Sequence, residues 1–528
     1  MESFAIGNSE SPADNVKGSA KPVAVIDIGT TSIRMAIAEI EEDGEVRTLE
    51  TLSQAVNLGK DTFTDGAIKR TTIEECVRVL KSYRRLLEEY QVVQSDQMRV
   101  ISTSAVREAA NRMAFLDRIY IATGIEVEPL DEADVSRVTF LGIQPFLKSE
   151  PALAEANTII TEVGGGSTEL LSLQSGEVAY SHTYRLGSLR LREMLQEYRA
   201  PAVNMRNIME SYIDRTLKQV VPHVPSEGAI QMIALGGDVR FAASQLILDW
   251  NPESLGRIPV SELERFTDKV LTLSPDELVH KYHLTFPDAE TLGPALLAYV
   301  KLARAFNLED ILITSITLRD GLLKEVAMKG AWSEDFCNQM IRSAIALGRK
   351  YDFDEDHARH VSKLCQVLFH SLKDEHQLET RYELILYIAA LLHEIGLFIN
   401  NPSHHKHTMY LINNSELFGL SKKDVLLVAL VARYHRRASP KPTHPGYGTL
   451  GRESRVAVAK MAAILRLADA LDRSHSQRVH EIQCVCEDGN LAVSTRHVED
   501  LSLEQLALKQ KGPLFEETFG LKVLLRKV

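Results

Sequence analysis

The sequence has few cysteines, few aromatic residues and no long hydrophobic run. Its 528 residues include five cysteines, which excludes a disulfide-stabilised scaffold and predicts a reducing cytoplasmic location. No apolar run reaches the roughly 20 residues that a membrane-spanning helix requires, so no integral membrane contact is expected. The first segment lacks the basic start and apolar centre of a signal peptide. We predict a disordered tail over residues 1–20.

Positive charge is in deficit, since 72 acidic residues stand against 60 basic ones and the formal net charge is -12. We expect no nucleic-acid partner. A polyanionic substrate would need divalent cations and a local basic lining to overcome the repulsion from this net negative charge. Residues 434–444 (YHRRASPKPTH), together with His404, His405, Lys406 and His407, are a candidate lining. The prolines also fit an ordinary solvated loop, and the sequence leaves both interpretations open.

An apolar run that breaks at three glycines is the most informative stretch of the chain. Residues 160–170 read ITEVGGGSTEL, with apolar residues on both sides, and predict two strands joined by a tight turn. Glycines let backbone N–H groups close on an anion, and the serine and threonine hydroxyls add donors. Glu162 and Glu169 flank the turn with carboxylates suited to a divalent cation or a water. A plain hairpin is the alternative interpretation of the glycines alone.

The same order of features occurs upstream in residues 23–40, VAVIDIGTTSIRMAIAEI. Each copy gives a strand, an acidic residue, glycine with serine or threonine, and a second strand. A further Gly-Gly pair follows a predicted strand in residues 234–242, ALGGDVRFA. The predicted phosphate-binding residues are Asp27, Gly29, Thr30, Thr31, Ser32, Gly164, Gly165, Gly166, Ser167 and Thr168.

Paired loops of this kind resemble those of the actin, Hsp70 and sugar-kinase class, where two ribonuclease-H-like halves face each other across a cleft. Within that class the chain is most similar to the exopolyphosphatase/guanosine pentaphosphate phosphohydrolase family, in its long form. The segments that carry this resemblance are 27–32 (DIGTTS), 102–107 (STSAVR), 164–170 (GGGSTEL), 186–191 (LGSLRL), 318–323 (LRDGLL), 391–397 (LLHEIGL), 404–412 (HHKHTMYLI) and 433–437 (RYHRR).

The resemblance implies an α/β fold in which two ribonuclease-H-like halves are followed by an all-α, HD-like domain and a small α/β domain. Continuous helical periodicity after residue 331 agrees with the all-α region. Residues 145–157 are expected to form a polar link, and a helix over 318–328 is expected to pack back between the halves. The predicted domains are 21–144 and 145–329 for the two halves, 330–474 for the helical domain and 475–528 for the last domain.

The resemblance also implies catalytic residues, with departures from the family pattern. Arg107 is expected to reach phosphate with its fork of donors, although a surface arginine is the alternative. The family carries two glutamates, the second catalytic, where an ungapped alignment places Asp134 and Val135. Valine accepts no proton, so a neighbouring carboxylate, Asp134 or Glu132, would have to replace the base, and the sequence leaves the choice open. The predicted catalytic set is Asp134, Glu162, Glu169 and Arg107, with Glu162 standing where the family has aspartate.

The activity implied is that of an exopolyphosphatase, which removes terminal orthophosphate from inorganic polyphosphate. Guanosine pentaphosphate is the neighbouring substrate, and guanosine tetraphosphate a related ligand. Mg²⁺ or Mn²⁺ is expected at Asp27, Glu162 and Glu169. Two alternatives stay open: a binding protein that senses these polyanions without hydrolysing them, suggested by Val135 and Glu162, and a kinase or ATPase, suggested by the Gly-Gly pair.

In the helical region, His357, His393, Glu394 and Asp469 occupy the positions of an HD-phosphohydrolase metal set. In such a site histidine and aspartate share a metal that activates water, but here glutamate replaces the aspartate of the doublet. Histidines hydrogen-bonded in a helical core are the alternative. We interpret this domain as a non-catalytic wall for a long substrate and as the surface of a homodimer, with HD-type phosphodiesterase activity the least favoured hypothesis.

Overall fold

The computed structural model describes residues 21–41, 44–92, 94, 97–197, 202–224, 228–328, 332–496, 498 and 500–527. The described residues up to 328 form one compact unit, and those from 332 onward form a second. The predicted tail over 1–20 lies outside this range. In the described part of the chain, no helix is long and apolar enough to cross a membrane.

The first half of the first unit contains a five-stranded sheet. Its strands are β1 (Lys21–Ile28), β2 (Ser32–Ile40), β3 (Val46–Ala55), β4 (Met98–Ser102) and β5 (Glu128–Pro129), in the order β3-β2-β1-β4-β5. The strand β1 is antiparallel to β2 and parallel to β4. The helices are α1 (Leu58–Asp65), α2 (Arg70–Glu89), α3 (Ser104–Glu108), α4 (Arg112–Thr123), α5 (Glu132–Ser149) and α6 (Pro151–Glu155).

The second half repeats this arrangement in a six-stranded sheet. Its strands are β6 (Asn157–Val163), β7 (Thr168–Gln174), β8 (Glu177–Tyr184), β9 (Ile230–Leu235), β10 (Gly256–Pro259) and β11 (Asp310–Ile313), in the order β10-β11-β9-β6-β7-β8. Its helices are α7 (Ser188–Glu197), α8 (Ala202–Val220), α9 (Gly237–Leu246), α10 (Val260–Leu271), α11 (Pro275–Tyr282), α12 (Phe286–Ala305) and α13 (Leu318–Ala327). Again an antiparallel meander is followed by parallel strands, which confirms the predicted duplication.

The helix α13 returns from the second half to pack on α5 and β1 of the first. Leu322 and Leu323 are buried in a cluster with Val25 and Val138. The approach is close, because a Cβ at Gly321 would lie 2.1 Å from the carbonyl oxygen of Val138. Burial of this apolar face ties the halves together, and the predicted return of the helix over 318–328 is confirmed.

The segment predicted as a polar link, 145–157, is helical for most of its length. The helix α5 continues through Pro145 to Ser149, and α6 follows directly. Proline inside a helix costs about 3 kcal/mol through a lost hydrogen bond and a clash. Leu141, Ile143 and Leu147 on this helix are buried, and the apolar area that they remove from water offsets that cost.

The second unit begins with a helical bundle and ends with a small sheet. The helices are α14 (Glu334–Lys350), α15 (Glu355–Ser371), α16 (Lys373–His376), α17 (Arg381–Leu392), α18 (His404–Asn413), α19 (Lys422–Arg433) and α20 (Arg452–Leu471). The C-terminal elements are β12 (Ile482–Glu487), β13 (Asn490–Thr495), α21 (Ser502–Lys511), α22 (Pro513–Phe519) and β14 (Lys522–Lys527), with the strand order β12-β13-β14.

The helix α17 is the centre of this bundle, since every residue from 382 to 392 is buried. Its neighbours α14, α15, α19 and α20 pack around it. Residues 332–471 are all described and contain no strand, as the continuous helical periodicity predicted.

Candidate active site

A cavity of about 310 Å³ opens in the first unit between the two glycine loops. All of the predicted phosphate-binding residues line it except Thr168, which is buried and donates its hydroxyl to the Leu186 carbonyl. Arg107, Glu162 and Glu169 also line the cavity. The structure thus brings together both loops and three of the four predicted catalytic residues.

Each loop is a hairpin turn of the same length and closure. The amide of Gly29 donates to the Ser32 carbonyl at 3.0 Å, and the amide of Gly164 donates to the Ser167 carbonyl at 2.8 Å. The antiparallel pairing sets Glu169 across from Glu162 in one hairpin, and an arginine, Arg34, across from the aspartate in the other. Because register fixes which side chains face each other, two carboxylates are forced together in the second loop.

The second loop is clamped by close backbone approaches that only glycine permits. A Cβ at Gly166 would lie 2.4 Å from the Ser104 hydroxyl of α3, and a Cβ at Gly187 would lie 2.3 Å from the Gly166 carbonyl carbon. The amide of Ser188, at the start of α7, donates to the Gly164 carbonyl at 2.9 Å. These contacts fix the loop against both halves of the unit.

Five carboxylates line the cavity: Asp27, Glu162, Glu169, Asp238 and Asp288. Burial raises the pKa of the first four, and it raises the pKa of Glu169 and of Asp238 to about 7. The charge of Glu162 adds to the effect on Glu169. Among the described residues, Asp27 Oδ1 is buried without a hydrogen-bond partner. Buried acids crowded in one cavity favour a bound cation, which would stabilise their ionised forms.

Asp134 does not line the cavity. Its carboxylate accepts from the Asp131 amide at 3.3 Å and from the Arg137 guanidinium at 3.2 Å, while the Asp131 side chain accepts from the Asp134 amide. This capping box opens α5. Arg137 also pairs with Glu325. The next residue, Val135, does line the cavity, so a methyl-bearing side chain faces the place where the family pattern has a carboxylate.

Arg107 lies at the edge of the cavity with one N–H donating to the Leu130 carbonyl at 3.0 Å. Its positive charge opposes the rise in the pKa of Glu169 that burial causes. An arginine held by one bond keeps other donors of its fork for an anion. Arg107 therefore lies at the cavity, and its contact with phosphate stays a prediction.

Several lining residues were missed by the sequence analysis, although they lie within the segments that it singled out. Arg34 is across the strand pair from Asp27, and Asp238 is the first acidic residue of the Gly-Gly loop in 234–242. Ser104 and Ser188 begin α3 and α7. Alignment of the two hairpins was the signal for Arg34, because Arg34 holds the place that Glu169 holds in the second copy.

The second unit brings together the predicted HD-like residues His357, His393 and Asp469, whose ligand atoms lie within 4.8 Å of one another. Glu394 lies in a similar group with His404 and His435. The latter two histidines stand in the segments considered as a candidate basic lining, and the structure buries both of them.

The duplicated sheets and the paired loops define a protein of the actin/Hsp70-like class. A family model described as "Ppx/GppA phosphatase family" matches residues 36–329, and one described as "Ppx/GppA phosphatase, domain III" matches residues 341–512. The chain belongs to the Ppx/GppA phosphatase family. Membership supports a phosphate-releasing hydrolase.

Similar proteins agree with this assignment. Two curated relatives, from Aeromonas hydrophila and Photobacterium profundum, are both named guanosine-5'-triphosphate,3'-diphosphate pyrophosphatase and are 26% and 22% identical to the chain. The alignments cover 84% and 86% of this chain, and 86% and 88% of theirs. A crystal structure of an exopolyphosphatase from Cytophaga hutchinsonii matches with a TM-score of 0.53 and 22% identity, over 59% of this chain and 99% of that chain. This last likeness shows the fold alone.

Proposed function

We propose that the cavity hydrolyses the terminal phosphoric anhydride bond of inorganic polyphosphate, with guanosine pentaphosphate as a second substrate of the same chemistry. The observation that carries the proposal is the pairing of two glycine-hydroxyl loops around one cavity lined by buried carboxylates. Backbone amides, hydroxyls and Arg107 suit the oxygens of a terminal phosphoryl group, whose charge must be neutralised as the bond breaks.

The carboxylates fit a divalent cation such as Mg²⁺ or Mn²⁺. Among the described residues of the first unit, no three of them form a closed set of ligands, but Mg²⁺ is usually held by one or two carboxylates together with waters and phosphate oxygens. Asp27, with its unpartnered buried oxygen, and Glu162 are the residues that would hold it. When bound, the cation supplies charge neutralisation at the phosphate oxygens.

Glu169 is the residue that we assign as general base, in place of Asp134. Its carboxylate lines the cavity, is fixed by the Ser167 hydroxyl at 2.7 Å, and has a pKa of about 7. A base with a pKa close to the working pH is the most effective. Water attacks the terminal phosphorus, its proton passes to Glu169, and the bond to the bridging oxygen breaks. The products are orthophosphate and a chain shorter by one phosphate.

The test is orthophosphate release by the full chain from long-chain polyphosphate, beside the same assay on guanosine pentaphosphate, both with Mg²⁺. Release from polyphosphate that falls by roughly 10²–10⁴-fold in Glu169→Gln supports the proposal. Release from guanosine pentaphosphate alone would assign the other substrate. Val135 favours the alternative of a sensor, because it removes a carboxylate from the family position. Calorimetric binding of either polyanion without any turnover would establish that alternative.

Two further properties are part of the proposal. We expect a homodimer, which the molar mass in solution will test, and a cytoplasmic location, which fractionation of the source cells will test. The hypothesis of a kinase or ATPase is less favoured, because the second unit matches the same phosphatase family.

A further inference from the structure

Seven histidine and carboxylate side chains meet at one place in the second unit, whereas the predicted HD-like set has four. The groups with ligand atoms within 4.8 Å of one another are His357, His393 and Asp469; Glu394, His404 and His435; and His357, Glu394 and His475. The elements involved are α15, the end of α17, α18, the end of α19 and α20. No step of the phosphate chemistry in the first unit uses them.

Hydrogen bonds at the outer ring nitrogens fix the tautomers of His357 and His393. Nδ1 of His393 lies 2.6 Å from the Ala390 carbonyl, and Nδ1 of His357 lies 2.8 Å from the Asp472 carboxylate. Both partners are acceptors, so in the neutral ring Nδ1 donates and Nε2 keeps its lone pair. Both rings are at most 1% exposed, and within the described residues neither Nε2 has a hydrogen-bond partner. Buried lone pairs with oriented second nitrogens are typical of metal ligands.

The same reasoning applied to His404 and His435 gives an arrangement that requires a positive charge. Their Nδ1 atoms lie 3.1 and 2.6 Å from the carbonyls of Asn401 and Ala432, so both donate there. Their Nε2 atoms are 3.0 Å apart. Two lone pairs facing each other at this distance repel, unless a cation or a proton lies against them.

The fold holds this pair firmly. The helix α18 begins close against the turn that follows His393, and a Cβ at Gly396 would lie 2.2 Å from the His404 carbonyl oxygen. The Thr408 hydroxyl accepts from the Gly396 amide and donates to the His393 carbonyl, both at 3.0 Å. The segment carrying His404 is therefore fixed to the segment carrying His393 and Glu394.

We propose that this cluster binds two divalent transition-metal ions bridged by Glu394. His357, His393 and Asp469 hold one ion, and His404 and His435 hold the other. One carboxylate oxygen of Glu394 is buried without a hydrogen-bond partner among the described residues and lies 4.0 Å from Nε2 of His357. A carboxylate between two nitrogen-rich groups suits a pair of ions about 3.5–4 Å apart.

The donor set selects the class of metal. Four imidazoles and two carboxylates suit Mn²⁺, Fe²⁺, Co²⁺ or Zn²⁺, whereas Mg²⁺ prefers oxygen ligands and keeps its waters. Lys511 contacts Asp469, so an ion at the first position competes with an ammonium group for that carboxylate.

The test is the metal content of the full chain, purified without a histidine tag and measured by inductively coupled plasma mass spectrometry. We expect about two equivalents of transition metal, or uptake of two equivalents of Mn²⁺, Co²⁺ or Zn²⁺ by the chelator-treated protein. His393→Gln and His404→Gln are each expected to lose at least one equivalent. His360→Gln is the matched control, since it lies one turn from His357 on α15 and outside all three groups.

A second measurement does not depend on variants that fold. Chelator treatment of the wild-type chain is expected to lower its thermal transition, and transition metal, but not Mg²⁺, to restore it. Co²⁺ or Mn²⁺ in both positions is expected to give the electron paramagnetic signature of a coupled pair. A chain that takes up no transition metal, with a proton shared by His404 and His435, would overturn the proposal. Uptake of one equivalent, without coupling, would overturn the bridged pair.

Discussion

Replacement of Glu169 by glutamine is expected to stabilise the protein while it removes activity. Burial, aided by the charge of Glu162, moves the pKa of Glu169 from 4.5 to about 7. The folded state therefore keeps a proton that the unfolded chain has already lost. The contribution of Glu169 to stability is largest below pH 4.5. It falls as the pH rises from 4.5 to about 7 and is constant above that range. Glutamine, which carries no charge, escapes this loss.

The magnitude follows from the two pKa values. At about 1.4 kcal/mol for each pKa unit, ionisation of Glu169 in the folded state costs roughly 3 kcal/mol at pH 8. At pH 5.5 the loss of stability caused by the raised pKa of Glu169 is about 1.4 kcal/mol. The Ser167 hydroxyl donates to Oε1 of Glu169 at 2.7 Å, and the glutamine amide oxygen accepts the same bond. The stability advantage of Glu169→Gln is thus expected to grow by about 2 kcal/mol between pH 5.5 and pH 8.

The assay is urea denaturation of the wild type and the variant at both pH values, with a chelator present. Glu253→Gln, a change at an exposed loop glutamate, is the control and is expected to show no such growth. When Mg²⁺ replaces the chelator, it is expected to restore part of the stability that the wild type lacks at pH 8, because it favours the ionised carboxylates of the cavity. Equal pH dependence of the wild type and Glu169→Gln would refute the reasoning.

Three further changes test the assignments. Val135→Glu is expected to raise phosphate release by roughly a hundredfold by adding a carboxylate to the cavity. Val135→Gln is the control of similar size. A folded Val135→Glu protein with unchanged turnover would contradict this prediction. Asp134→Ala is expected to cost about 1 kcal/mol of stability through the lost cap and ion pair, while phosphate release is retained. Loss of turnover in a folded variant would show that Asp134 takes part in catalysis. Lys511→Met is expected to tighten Co²⁺ binding several-fold, because the ammonium no longer competes for Asp469. A Co²⁺ titration identical to that of the wild type would argue against an ion at Asp469.

The parts of the site that sequence predicted are those with local signals. A strand, an acidic residue and a glycine turn are contiguous in the chain, so the residue order alone was enough to predict both glycine loops. The arrangement around Asp134 had a local signal too, since Asp131 and Asp134 stand at capping-box spacing. The family alignment predicted Asp134 as a catalytic base, whereas the capping-box spacing predicts its role at the start of α5.

The parts that sequence could not predict depend on packing between distant elements. Pro145 stands inside α5, and only the buried apolar face of this helix shows why it continues past the proline. His404 and His435 stand in basic segments, which favoured a surface, and their contact depends on how α18 and the end of α19 meet. Local charge predicted exposure there, whereas the tertiary fold places both rings in the core.

The duplicated hairpins show how one fold gives its two loops different chemistry. Asp27 and Glu162 hold the same place in their hairpins, but the facing residue is Arg34 in one and Glu169 in the other. The arginine opposes the rise in the pKa of Asp27, while Glu162 adds to the rise in the pKa of Glu169. In the first hairpin, Arg34 thus makes the buried carboxylate of Asp27 easier to ionise than burial alone would allow. The second holds a carboxyl group that exchanges a proton near neutral pH, which is the property that a general base requires.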